Sequence, residues 1–358
     1  MENRKVIIGL SGGVDSAVAA YLLKRDEYDV IGVTLRTWQS DEGQESRCCE
    51  IDDAREVART IGIPYYVFNC TSDFDCKVIK PFIDDYINGM TPNPCVICNR
   101  EIKWERLLYY AKLLEADYVA TGHYASVVKL YNGRYTVKKA EHAEKDQTYM
   151  LYRLTQEQLR HTLMPLGKLT KEEVRKLAGA AGLPVAGKKD SQEICFVTEG
   201  THADFIERYS DAAPPPEGDF TDENGNVLGR HAGIHHYTVG QRRGLGVSCG
   251  APVYVRSIDA RNNRIILGEE RSLYTDTVII SRPAFMGIAG MQPGDRLHGY
   301  AKIRYHHAPQ AAEASYLSPD RIALHFASPV RAAAPGQSAV LYDADGCILL
   351  GGEIAAHI

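Results

Sequence analysis

Lys5-Val6-Ile7-Ile8-Gly9-Leu10-Ser11-Gly12-Gly13-Val14-Asp15-Ser16 is the stretch whose reading decides the fold. Its first six residues make a short apolar strand, and Ala17, Val18, Tyr21, Leu22 and Leu23 follow on or near one helix face. The loop between is therefore a strand-to-helix turn, the setting a phosphate site requires. Gly12 and Gly13 let the backbone turn sharply and bring N–H groups close to oxygens. The helix N-terminus adds partial positive charge. Ser11 and Ser16 can donate hydroxyl hydrogen bonds, and Asp15 is placed to help hold a magnesium ion against phosphates. No Gly-Lys-Ser/Thr follows, which excludes the Walker pattern, and the spaced glycines of a dinucleotide fold are missing. An incidental Gly-Gly turn is the bland alternative.

Outward from this loop, strand and helix patterns alternate. Strands are predicted at 29–35, 65–69 and 117–121, with helices at 52–61, 76–88 and 101–114. That order predicts an α/β domain, a parallel sheet with helices on both faces. Asn132-Gly133 marks a hairpin, and Thr170 with Glu173 forms a capping box. Three consecutive prolines from Pro214 suggest a linker, and beyond them short alternating strands replace helices. The expected division is 1–213, a catalytic α/β domain, 214–280, a small β-rich central domain, and 281–358, a C-terminal β-barrel.

A chain of 358 residues suits two or three such domains. No apolar run reaches membrane-spanning length and the start leads straight into a strand, so a cytoplasmic protein with no removed leader is expected. The net charge of −5 means that any RNA must meet local basic surfaces. Nine cysteines, an odd number without a secretory signal, speak against a disulfide framework. Cys70, Cys249 and Cys347 stand singly and read as small core residues.

The chemistry-bearing cysteines sit elsewhere. In Thr91-Pro92-Asn93-Pro94-Cys95-Val96-Ile97-Cys98-Asn99 two prolines stiffen a loop between helices. Cys98 is expected at a helix start, where the dipole favours a thiolate. Cys-x-x-Cys fits half a zinc site, a redox pair or two iron–sulfur ligands equally. Cys195 lies in a loop feeding a strand and by itself reads as a buried thiol. Cys48-Cys49 follows a polar stretch, 40–46, expected to be mobile, and a local role fits them as well as a place in the site. Gln241-Arg242-Arg243-Gly244 offers paired guanidiniums on a flexible turn, and by itself reads as a solvated one. His306 and His307, on a predicted strand, would point to opposite faces and make no metal site.

The Ser-Gly-Gly-x-Asp-Ser loop resembles that of the PP-loop ATP pyrophosphatases, which release pyrophosphate and attach AMP to a substrate oxygen. With 91–103, Ala120 to Tyr124, Lys145 to Tyr149, 188–196 and 238–246, it makes essentially the whole chain resemble the tRNA-specific 2-thiouridylase family. The resemblance implies ATP-dependent transfer of sulfur to C2 of a tRNA wobble uridine, with Mg²⁺, a sulfur donor and the anticodon stem-loop as partners. It implies ATP contacts from Gly9, Leu10, Ser11, Gly12, Gly13, Val14, Asp15, Ser16, Leu35 and Gly122, with Leu35 where the family usually has methionine. Asn93, Pro94 and Cys95 would meet the target base, and Lys145, Asp146, Gln147, Arg304 and Tyr305 the tRNA. Cys98 matches the nucleophile and Cys195 the persulfide carrier. Many members carry aspartate where this chain has Cys95. Cys95, Cys98 and Cys195 could then hold a [4Fe–4S] cluster, and both sulfur schemes stand at this point. Two other readings are open: a different adenylating PP-loop enzyme whose cysteines are not catalytic, and a non-catalytic RNA-binding protein with a relic nucleotide site.

Overall fold

The computed structural model describes residues 4–188, 194–248 and 250–357. Its first part strings together β1 (Lys5–Gly9), α1 (Val14–Arg25), β2 (Asp29–Arg36), α2 (Ile51–Ile61), β3 (Tyr65–Asn69), α3 (Thr71–Phe74), α4 (Lys80–Ile87), α5 (Pro94–Ile97), α6 (Glu105–Leu113) and β4 (Tyr118–Ala120). A hairpin of β5 (Ala125–Lys129) and β6 (Tyr135–Lys139), then α7 (Gln156–Arg160), β7 (Thr162–Leu163), α8 (Lys171–Ala180) and α9 (His202–Tyr209) complete it. Strands β3-β2-β1-β4-β7 form one parallel sheet in that order. Val6, Ile7 and Ile8 are fully buried, as a strand covered on both faces requires. The strand order reverses between β1 and β4, and the crevice at their carboxyl ends is where such sheets bind ligands.

Two π-helical stretches interrupt the helices. Asp75–Ile79 joins α3 to α4 just before Pro81, whose missing N–H and ring cannot be fitted into a regular α-helix. Cys98–Trp104 joins α5 to α6. Its wider turn brings residues five apart toward one face, so Lys103 comes back over Cys98.

The middle of the chain is a sheet of β8 (Gly218–Thr221), β9 (Val227–His231), β10 (Tyr254–Asp259) and β11 (Arg264–Gly268), ordered β10-β11-β8-β9. The last part, β12 (Tyr274–Phe285), β13 (Arg296–Lys302), β14 (Gln310–Ser318), β15 (Arg321–Arg331), β16 (Ser338–Tyr342) and β17 (Ile348–His357), closes into a barrel. Residue 281, the expected second boundary, lies inside β12. Ser281-Arg282-Pro283 reads as a break because it is a bulge: the pairing with β17 slips between Ser281 and Ala284, and Arg282 has φ +49°.

The barrel packs on the first part through shared core residues such as Tyr149, Tyr152, Val340 and Tyr342. Tyr149 Oη donates to the Ser338 carbonyl at 2.7 Å, and Thr136 Oγ1 to the Ile348 carbonyl at 2.6 Å. The 91–95 loop is fastened the same way. Thr91 N donates to the Pro335 carbonyl at 2.8 Å, and Gln337 Nε2 to the Thr91 carbonyl at 2.9 Å.

Candidate active site

A cavity of about 210 Å³ opens at the carboxyl ends of β1 and β4. Gly9, Leu10, Ser11, Asp15 and Ser16 line one side, Leu35 and Thr37 another, and Gly122, His123, Gln147, Lys103 and Cys48 the rest. Gly13 caps α1 with no side-chain hydrogen bond, so the first-turn N–H groups are left for an anion. Gly12 has φ +76°, and a Cβ there would lie 2.6 Å from Glu50. Ser11 N donates to Ser16 Oγ at 3.2 Å, and Ser16 Oγ to the Gly13 carbonyl at 3.1 Å, which fixes the Ser16 hydroxyl inside the turn.

Asp15 is already occupied. Lys171 Nζ bonds its two carboxylate oxygens at 2.7 and 2.8 Å, and Tyr124 Oη donates to Oδ1 at 2.7 Å. This clamp ties α1 to α8 and to the end of β4, and the sequence reading missed both partners. Lys188 likewise reaches the Gly12 carbonyl at 3.2 Å and Glu50 at 2.5 Å. The remainder of the expected 188–196 motif as far as 193 lies outside the described residues, as does Cys249.

At the other end of the cavity the structure gathers thiols. Cys98 is buried, while Cys95, Cys195 and Cys48 are half-buried, and all four lie near enough to Lys103 to feel its charge. Burial lowers the Lys103 ammonium, but Cys98, Cys48, Cys95 and Cys195 more than offset it and leave it above its ordinary value. Cys98 was expected at a helix start with a stabilised thiolate. Pro94 starts the helix one turn earlier, and burial, only partly countered by Lys103, pushes the Cys98 thiol up to about 12. Burial also raises Cys95. Hydrogen bonds from Cys195 and Cys49 outweigh burial at Cys48 and pull it well below the usual thiol value. The 40–46 segment before it, expected to be mobile, is folded: Gln39 pairs with Glu45, and Ser46 is fully buried against Thr37 Oγ1 at 3.1 Å.

His123 Nδ1 lies 2.9 Å from Thr121 Oγ1 and its ring is 5.5 Å from that of Trp104. Burial, helped by Lys103, lowers its pKa to about 3, so it is a neutral hydrogen-bonding group. Gln147 accepts from Tyr124 N at 2.9 Å and belongs to the cavity wall. Asp146 is buried, its carboxylate taken by Thr148 Oγ1 at 2.9 Å and Ala140 N at 3.3 Å. Lys145 is half-buried beside them. Arg304 and Tyr305 stand in a turn after β13, with the Tyr305 ring 6.4 Å from Tyr149 and its hydroxyl within the field of Cys95. His306 and His307 belong to that turn and not to a strand, since β13 ends at Lys302. Arg242 and Arg243 are exposed on a turn whose Gly244 and Gly246 have positive φ.

The sequence matches three family profiles in succession. They are a tRNA methyl transferase HUP domain over residues 4–199, a tRNA methyl transferase PRC-barrel domain over 203–269 and an aminomethyltransferase β-barrel domain over 275–354. A tRNA-specific 2-thiouridylase MnmA of Lachnoclostridium phytofermentans is 49% identical over 356 residues, covering 98% of each chain. The chain belongs to the tRNA-specific 2-thiouridylase family. Members from Caldanaerobacter subterraneus and Clostridium acetobutylicum are 49% and 46% identical, each covering at least 98% of this chain and at least 98% of its own length. Membership agrees with the architecture, since the PP-loop sheet, middle sheet and closed barrel follow the three profiles in order.

Proposed function

We propose that this chain uses ATP to activate C2 of the wobble uridine of tRNA and replaces the C2 oxygen with sulfur. The observation that carries this is the single cavity shared by the phosphate turn, Ser11 to Ser16, and the thiol side, Cys48 with Lys103. An adenylating site and a sulfur site must act on one carbon atom, and here they border one space.

The pyrophosphate of ATP lies on the uncapped N–H groups of α1, with the Ser11 hydroxyl turned to the phosphates, Ser16 bracing the turn from within and Leu35 as the apolar wall for adenine. Asp15 is committed to Lys171 and Tyr124, so a Mg²⁺ ion bound with ATP would find little of its carboxylate free and would serve to offset phosphate charge. The C2 oxygen attacks the α-phosphorus, pyrophosphate departs, and C2 then bears AMP as a leaving group. Asn93, Pro94 and Cys95 form the floor for the uracil, an anticodon-loop base already free of pairing. Lys145, Gln147, Arg304, Tyr305 and the Arg242–Arg243 turn contact the tRNA, whose phosphates meet them despite the net negative chain.

Sulfur arrives from a donor as a Cys195 persulfide. Its terminal sulfur attacks C2 and AMP leaves. Cys98 then attacks Cys195 Sγ, the S–S bond breaks with its electron pair on the departing sulfur, and a Cys98–Cys195 disulfide remains for two electrons from a thiol reductant. Lys103, above its ordinary pKa, lowers the cost of a thiolate at Cys98. A second reading rests on Cys95, a third thiol near Lys103: Cys95, Cys98 and Cys195 would be the ligands of a [4Fe–4S] cluster. Such a cluster would supply an iron to carry hydrosulfide. In both, the protein works in the cytoplasm, and the chain divides near residue 214 and again in the turn before β12.

Nucleoside mass spectrometry of tRNA from cells carrying only Cys98→Ala tests the function. Loss of 2-thiouridine is expected, and an unchanged level would mean another PP-loop chemistry. Iron analysis of anaerobically prepared, fully active protein separates the two sulfur schemes.

A further inference from the structure

Away from the cleft, Glu207 on α9 faces the short turn Ile234–His236 that follows β9. Glu207 Oε1 lies 3.3 Å from His235 Nε2 and 3.1 Å from His236 Nε2. The three ligand atoms all fall within 4.8 Å of one another, and among the described residues no other three of His, Cys, Asp or Glu are so gathered. None of the three lines the cleft, so this cluster is separate from the site already described.

Two features distinguish it from a casual surface contact. First, the spacing is that of ligands. Zinc bonds to imidazole and carboxylate of about 2.0–2.2 Å in a tetrahedron place neighbouring ligand atoms roughly 3.3 Å apart. The two measured separations are close to that. Second, His235 is 1% exposed and its Nε2 faces Glu207, so one ligand atom is held inside the protein, and Nδ1 is left without a hydrogen-bond partner whether or not Nε2 binds a metal. The turn is nonetheless well anchored, because the His235 carbonyl meets His202 Nε2 at 3.1 Å and the His202 ring stacks on Tyr86 at 4.6 Å. His236 and Glu207 are 29% and 46% exposed, which leaves a path for an ion and room for a water.

We propose that Glu207, His235 and His236 bind a divalent transition-metal ion, zinc by the character of its ligands, with water in the fourth position. Two imidazoles and one carboxylate suit zinc better than magnesium or calcium, which favour all-oxygen sites. The ion would tie α9, which packs on the core of the first part through Phe205 and Ile206, to the turn after β9, and it would act as a staple, since none of its ligands lines the cleft. Binding to the folded chain alone would then stabilise the junction.

The test is the uptake of Co²⁺ and Zn²⁺ by full-length protein stripped with chelator, compared with Glu207→Gln and His236→Asn. Both replaced side chains are part-exposed, and the metal-free melting temperature of each variant shows whether it folded; either variant alone suffices. Wild type is expected to take up one more equivalent than the variants, with a cobalt difference spectrum showing ligand-field bands and no thiolate charge-transfer band. Equal uptake by wild type and a folded variant would overturn the proposal. So would a difference spectrum with thiolate character, which would assign the extra ion to the cysteines.

Discussion

Replacing Gly122 by alanine asks whether the phosphate turn and the end of β4 are held at a fixed separation. A Cβ at Gly122 would lie 2.6 Å from Ser16 N, 2.7 Å from the Asp15 carbonyl carbon and 2.9 Å from Ser16 Cα. Ordinary contact begins at 3.4 Å, so the first turn of α1 must retreat by 3.4 − 2.6 = 0.8 Å. All three neighbours are backbone, and no side-chain rotation relieves them. Forcing a methyl into such a contact costs roughly 1–3 kcal/mol of stability. A displacement near 1 Å at a reacting group lowers rate on the order of 100-fold. Urea denaturation and tRNA-dependent pyrophosphate release measure the two effects. Gly179→Ala is the control: it lies in α8 with nothing within 4 Å of its Cβ, and alanine there should stabilise by about 0.5–1 kcal/mol. Equal stability and equal rate for Gly122→Ala and Gly179→Ala would refute the close-approach argument.

Lys171→Met leaves the Asp15 carboxylate with Tyr124 Oη as its remaining hydrogen-bond donor of the clamp described above; a loss of about 1.5–3 kcal/mol is expected in urea melts. Cys98, pushed up to about 12, should alkylate with iodoacetamide about ten times faster per pH unit from 7 to 10. Cys48, held below the usual thiol value by its hydrogen bonds to Cys195 and Cys49, should be modified before Cys98, as peptide mapping would show. His123 falls from 6.5 to about 3 on folding, so the unfolded chain binds its proton first. Its contribution is complete above pH 6.5 and is lost as pH falls toward 3, at up to roughly 1.4 kcal/mol per unit. His123→Gln should flatten the pH–stability curve by that slope. Gln337→Ala removes the donor to the Thr91 carbonyl and should cost about 1 kcal/mol and slow sulfur transfer, with ATP binding unchanged in a titration.

Much of this was legible because strand, turn and helix signals are local. Val6 to Ile8 predict a buried strand, Gly12-Gly13 a turn, and Thr170 with Glu173 a capping box, which forms as expected. The thiol group was only half legible. Cys95 and Cys98 stand one helical turn apart, but Lys103 lies five residues beyond Cys98, a spacing that an α-helix turns away and only the π stretch returns. Burial reversed the expected state of Cys98, and no local pattern reports burial by residues a hundred positions distant. Cys48 was ambiguous for the same reason, since its partner Cys195 is remote in sequence. Asp15 looked like a free carboxylate because Lys171 and Tyr124 carry no signature pointing back to it.

The fastening of the 91–95 loop by Pro335 and Gln337 has a consequence for synthesis on the ribosome. The strands of the parallel sheet and the phosphate turn all lie in the first half of the chain and leave the ribosome first. The loop that carries Cys95 gains its anchor only after some 240 further residues have emerged and the barrel has closed. A product terminated before the barrel would therefore lack the bonds from Pro335 and Gln337 that brace this loop.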